Sequence, residues 1–150
     1  MLLLFDESSS LQSTDPQAAR VQAARYLLQT LGKYADRVGA NLEVASAGFS
    51  DTYAPEHDWT KLTGSSADQL GTELASIASK NAGIDTDYWL ALDGARQELA
   101  SRGPGPNGGQ RCQAIAWFSD GKIDFTPRPT SKPYADGVNL DSPTGIDDTT

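Results

Sequence analysis

In the stretch Leu2-Leu3-Leu4-Phe5-Asp6-Glu7-Ser8-Ser9-Ser10, an apolar run passes without transition into an acidic, hydroxyl-rich turn. A strand covered on both faces has no polar side, so Leu2 to Phe5 predicts a buried strand of a sheet with layers above and below it. The turn at its C-terminal end holds the spacing Asp6-x-Ser8-x-Ser10. A second passage has the same build: Ala114-Ile115-Ala116-Trp117-Phe118 stops abruptly at Ser119-Asp120-Gly121. Leu42 to Phe49 predicts a further strand, with Leu42, Val44 and Phe49 as its apolar members.

Helical periods lie between the strands. Asp15-Pro16 reads as an N-cap followed by proline at the first helical position. Val21, Ala24, Leu28, Leu31, Ala35 and Val38 then recur at spacings of three and four, one face of a long helix. Residues 50–64 read as a polar loop carrying His57 and Trp59. From Ser65 a helix is expected, with Leu70, Leu74 and Ile77 on one side and Asn81-Ala82-Gly83 as its C-terminal stop. Another should begin near Thr86-Asp87 and run to about Ser101, with Trp89, Leu92, Arg96 and Leu99 on one face. The run Gly103-Pro104-Gly105-Pro106-Asn107-Gly108-Gly109 breaks it.

Strands alternating with helices predict an α/β fold: a doubly wound, mostly parallel sheet with helices on both faces. In such folds the loops at the C-terminal ends of the strands gather on one edge, where ligands bind. Asp6 and Asp120 both fall on that edge.

Composition narrows the function. The chain has 150 residues, room for one ordinary domain, and a net charge of −8. A surface this acidic repels a phosphate backbone, which argues against nucleic acid and leaves hard cations as natural guests. No apolar run reaches membrane-spanning length. The single cysteine, Cys112, forms no disulfide within the chain and reads as a small buried hydrophobe, or as half of a pair completed elsewhere. His57 has no acidic or nucleophilic partner at a useful spacing and reads as a surface residue. Trp59, Trp89 and Trp117 read as packing residues.

Taken alone, Asp-x-Ser-x-Ser is weak evidence. With 15 Asp and 14 Ser in the chain, a shuffled sequence would show it roughly one time in eight. Short polar side chains bonding a local turn would explain it equally well. Context changes that balance. The motif follows one buried strand, Ser119-Asp120-Gly121 follows another, and Thr86 stands between them at a helix start, in Asp85-Thr86-Asp87-Tyr88-Trp89.

Together these segments resemble the metal-ion-dependent adhesion site of von Willebrand factor type A (vWA) domains: Asp-x-Ser-x-Ser, then a threonine, then an aspartate commonly followed by glycine. The resemblance extends to about Phe125. Ser9 departs from it, since many members carry glycine there. It implies a Rossmann-like vWA fold and a divalent-cation site formed by Asp6, Ser8, Ser10, Thr86 and Asp120. In the family the hydroxyls touch the metal, the aspartates act largely through water, and a carboxylate of a protein ligand completes the coordination. The residue chemistry agrees, because hydroxyl and carboxylate oxygens are hard ligands suited to Mg²⁺ or Mn²⁺, and no Cys or His is placed for zinc. Glu7 and Asp87 neighbour the site without being expected ligands.

The resemblance thus implies an adhesion-type module binding a protein through an acidic residue, in an extracellular or cell-surface setting by analogy. No catalytic residues are expected. Two alternatives stand beside this reading. A metal-dependent hydrolase of the phosphatase type would use Asp6 as nucleophile, although Ser8 occupies the place of the second acid it needs. A purely structural module would use the metal only to brace the loops. The family sheet has the order 3-2-1-4-5-6, so 114–118 should lie beside 2–5 with nothing from this chain outside it. Residues 1–125 are accordingly expected to form the N-terminal and central part of a vWA domain, and 126–150 an irregular Pro/Asp/Thr-rich segment. On this reading the remainder of the domain lies outside the chain, which by itself should aggregate or form oligomers.

Overall fold

A computed structural model describes residues 1–105 and 108–121. The expectation for 126–150 lies outside the described residues. Four strands, β1 (Leu2–Asp6), β2 (Leu42–Phe49), β3 (Tyr53–Leu62) and β4 (Ile115–Phe118), form one sheet in the order β3-β2-β1-β4. β1 pairs in parallel with both β2 and β4, Leu2 facing Ala45 on one side and Ile115 on the other. The strand 114–118 therefore lies where it was expected. Among the described residues no strand follows it.

The helices are α1 (Leu11–Thr14), α2 (Ala19–Val38), α3 (Ala67–Glu73), which continues as a 3-10 turn over Leu74–Ser79, and α4 (Tyr88–Ala100). Alternation along β1 divides the core in two. Leu3 and Phe5 pack against Val21, Ala24 and Leu28 of α2 and against Leu70, Leu74 and Ile77. Leu2 and Leu4 face the opposite way, with Ala45, Ala47 and Phe49 of β2 and Ala91 and Ala95 of α4. Every residue of β1 is buried, as a strand between two helical layers requires. The fold is the α/β class expected, a mostly parallel sheet flanked by helices.

Several local expectations are corrected. Residues 50–64 are not a loop: they hold β3, which pairs antiparallel with β2 across a bulge between Val44 and Ala47. An edge strand with one solvated face alternates polar and apolar residues weakly, and Glu56, His57 and Asp58 masked the period. The cap of α2 is displaced. Asp15 accepts from Ala19 N and Arg20 N at 2.6 and 3.3 Å, while Pro16 and Gln17 sit in a turn before the helix. Val38 is half-exposed on the far end of α2. The helix after Ser65 ends at Ser79, and Gly83 does not cap it but bridges to Ser8. On α4 the buried residues are Ala91 and Ala95, whereas Trp89 and Leu92 are exposed. Small side chains let α4 approach the sheet closely, so the bulky face points away from it. Cys112 is exposed, not buried.

Candidate metal centre

The site begins where β1 ends. Asp6, fully buried, is the last residue of the strand and pairs with Phe49. The chain then turns so that Ser8 N donates to Asp6 Oδ1 at 2.8 Å, and Ser8 Oγ lies 3.0 Å from Ser10 Oγ. Ser8 is buried, Ser9 exposed and Ser10 intermediate. Asp120, two residues beyond β4, comes in from the neighbouring strand. Ser10 Oγ donates to Asp120 Oδ2 at 2.5 Å. Since the Ser10 proton is committed to that carboxylate, Ser8 is the donor to Ser10. Four of the five expected residues are thus tied into one hydrogen-bonded chain at the crevice between β1 and β4, where the strand order reverses.

Thr86 reaches the same edge by a different route. Gly83 N donates to Glu7 O at 3.0 Å and Ser9 N to Gly83 O at 2.8 Å, which fastens the incoming segment to the Asp-x-Ser-x-Ser turn. Asp87 N donates to Ser50 O at 3.0 Å, just past the end of β2. Thr86 is held between these anchors and is buried. Among the described residues no side-chain hydrogen bond joins it to the other four. Asp87 caps α4, accepting from Leu90 N at 2.9 Å. Gly83 is required here: a Cβ on it would stand 2.2 Å from Ser50 Cβ and 3.1 Å from Glu7 O.

Three further residues belong to the cluster and were not singled out from sequence. Ser119 Oγ donates to Asp6 Oδ2 at 2.8 Å and lies 2.7 Å from Tyr88 OH. Because the Ser119 proton goes to Asp6, Tyr88 is the donor in that second contact. Burial pushes the Tyr88 phenol above its ordinary pKa, and the charges of Asp6 and Asp120 add to the rise while Ser119 opposes it, so the hydroxyl stays protonated and able to donate. Thr14, at the end of α1, places Oγ1 2.8 Å from Asp120 Oδ2. The one available signal was adjacency, Ser119 preceding Asp120 and Tyr88 following Thr86 by two. For Thr14 only the single helical turn separating it from Ser10 pointed there.

Glu7 turns away from the cluster. Its carboxyl is raised above the usual range by burial, with Lys80 opposing that rise, and it lies 3.6 Å from the Lys80 ammonium, which also pairs with Glu56. His57 is not a simple surface residue: its Nδ1 lies 2.7 Å from Ser46 Oγ, and Ser46 is buried beside the bulge. Among the described residues no group of three or more His, Cys, Asp or Glu is placed to hold a metal. A cation at this edge would therefore depend on hydroxyl oxygens as ligands.

No family model and no curated protein matches the chain. Solved structures do. Proximal thread matrix protein 1 from the mussel byssus superposes with a TM-score of 0.58 at 19% identity, over 84% of this chain and 32% of that one. The fold is vWA-like. The same byssus protein, in a structure with a zinc-occupied MIDAS motif, matches with a TM-score of 0.58 at 21% identity, over 85% of this chain and 32% of its own. The pilus adhesin SpaC from Lactobacillus rhamnosus GG matches with a TM-score of 0.55 at 18% identity, covering 91% of this chain and 17% of the adhesin. The chain thus spans about a third or less of the length of the structures it resembles. Among the described residues no helix is long and apolar enough to cross a membrane.

Proposed function

We propose that this chain is a divalent-cation-dependent protein-binding module, in which Ser8, Ser10 and Thr86 contact the ion and Asp6 and Asp120 support it through water and hydrogen bonds. The observation that carries the reading is the 3.0 Å separation of Ser8 Oγ and Ser10 Oγ. Without an ion that spacing is a hydrogen bond, and it is also close to the edge of about 3.0 Å between adjacent ligands at about 2.1 Å in a Mg²⁺ or Mn²⁺ octahedron. Hydroxyls and carboxylates also favour the harder ions, although zinc occupies the corresponding motif in the byssus protein.

A bound divalent ion would supply an electrophilic centre on which a carboxylate from a partner could complete the coordination. The chain's own residues supply the rest. Ser8 N–H and Ser119 Oγ fix both oxygens of Asp6, the 83–87 segment presents Thr86, and hydroxyls hold Asp120. The adhesive and matrix character of the structural neighbours supports a protein partner and an extracellular or surface setting. Hydrolysis of the phosphatase type is not favoured. Both oxygens of Asp6 are hydrogen-bonded, and Ser8 stands where such a mechanism needs a second acid.

The test is a paired pull-down from the chain's native source in Mg²⁺ and in EDTA, with Asp6→Ala as a third arm. A partner retained in Mg²⁺ and lost in both other arms supports the proposal. A partner retained in all three would overturn it, and cation binding without any cation-dependent partner would leave the structural-brace reading in its place.

A further inference from the structure

Thr14 lies outside the three segments that make up the motif, yet one helical turn carries it from Ser10 back over the cluster. Its hydroxyl is 2.8 Å from Asp120 Oδ2 and 3.0 Å from the carbonyl oxygen of Ser10. A threonine hydroxyl has one hydrogen, and an ionised carboxylate at the shorter distance is the stronger acceptor, so that hydrogen goes to Asp120. Ser10 Oγ donates to the same oxygen at 2.5 Å. A carboxylate oxygen has two lone pairs. Both on Asp120 Oδ2 are therefore taken by hydroxyl hydrogens.

We propose that Thr14 is a positioning residue that keeps Asp120 Oδ2 out of direct coordination to the cation. The inference rests on the cation site proposed above. An oxygen whose two lone pairs are engaged by hydroxyl hydrogens is a poor inner-shell ligand, so direct coordination through Oδ2 is disfavoured and water is left in its place, which an incoming carboxylate can displace. One neutral hydroxyl outside the motif thereby preserves both the charge of the ion and an exchangeable position. Thr14 thus acts on how readily the ion accepts an anionic partner, and it acts through Asp120 without touching the ion itself.

The experiment uses Mn²⁺ as probe, with calorimetric titration and water-proton relaxation of the saturated protein. The chains compared are wild type, Thr14→Val, Thr14→Ser and Ser13→Ala. Ser13 Oγ also donates to Ser10 O, at 2.9 Å, so Ser13→Ala removes a hydroxyl from that carbonyl while leaving Asp120 alone. In Thr14→Val, Asp120 Oδ2 regains a lone pair and replaces one of about three inner-shell waters. Mn²⁺ should then bind several-fold tighter while the relaxation enhancement at saturation falls by about one third. Thr14→Ser and Ser13→Ala should match wild type. A purely structural role for Thr14 predicts weaker binding and a lower melting temperature with unchanged enhancement per bound ion, and that outcome would overturn the proposal. So would Mn²⁺ uptake that Thr14→Val leaves unaltered. If the wild type took up no Mn²⁺, the cation site itself would fall, and this inference with it.

Discussion

The two ends of the β1–β2 pair treat their carboxylates in opposite ways. Near the start of β2, Glu43 accepts from Arg102 and Arg111, each at 2.7 Å, and these guanidinium groups hold its carboxyl below the usual range. At the other end, Asp6 is more deeply buried, yet it accepts from one backbone amide and one hydroxyl, and among the described residues no ion pair reaches it. Burying a carboxylate is costly unless charge or good hydrogen bonds offset it. At Glu43 the chain supplies its own cations. At Asp6 it supplies only neutral donors, and hydroxyls can face a metal as readily as they face an aspartate. On the proposed reading, the difference separates a carboxylate that fastens the fold from one arranged to receive an outside ion.

Removing each carboxylate in turn and titrating with Mg²⁺ or Mn²⁺ should give the largest effect. Asp6→Ala should weaken binding by about 100-fold, the upper range for loss of a residue that orients metal ligands. Glu43→Gln should leave affinity unchanged. Equal affinity in wild type and Asp6→Ala on calorimetric titration would refute the site. Thr86→Ala comes next, with an expected loss of about tenfold. Among the described residues no side-chain hydrogen bond ties Thr86 to the rest of the cluster, so on the proposed reading its removal takes away a ligand without disturbing Asp6 or Asp120. An unchanged affinity would show that Thr86 does not face the ion.

Legibility in the sequence followed the same division. The residues at the ends of β1 and β4 were readable because both strands are continuous apolar runs with abrupt ends, although only β1 is fully buried and β4 is half-buried. The register placing β4 beside β1 then brings Asp6 and Asp120 together without any further information. Thr14, Ser119 and Tyr88 were not readable as members of the cluster, since hydroxyls are common and their roles depend on side-chain distances that no spacing encodes. β3 was lost for a different reason. Its inward residues are interrupted by a bulge, which shifts the alternation midway and hides the two-residue period. The exposed Trp89 and Leu92 show the limit of periodicity on α4: the apolar stripe exists, but the helix packs on Ala91 and Ala95.

His57 bears on stability and not on metal binding. It lies on β3, away from the cluster, and bonds Ser46 beside the bulge. His57→Ala should leave metal affinity untouched and lower the unfolding free energy by about 1 kcal/mol, the ordinary cost of a side-chain hydrogen bond with one partner buried. Denaturant melts in the presence and absence of Mg²⁺ check both halves. A change in affinity would mean that β3 communicates with the metal edge.

The smallest expected effect belongs to Glu43 itself. Its carboxyl is depressed by hydrogen bonds from Arg111 and Arg102, with burial opposing them. A carboxylate whose folded pKa lies below its unfolded value of about 4.3 contributes stability at neutral pH that is lost as pH falls through the folded value. The contribution is full above the unfolded value and disappears as the pH falls through the depressed folded value. Glu43 is about a quarter exposed, with a side-chain accessibility of 28%, so solvent screens the two ion pairs and their combined worth stays near 1 kcal/mol. Glu43→Gln should therefore be less stable than wild type by about that amount at pH 7, and the gap should close as acid protonates the folded carboxylate. High salt at pH 7 should narrow it as well. A gap independent of pH would show that Glu43 acts through packing alone, and the contrast between the two ends of the sheet would then no longer be one of charge.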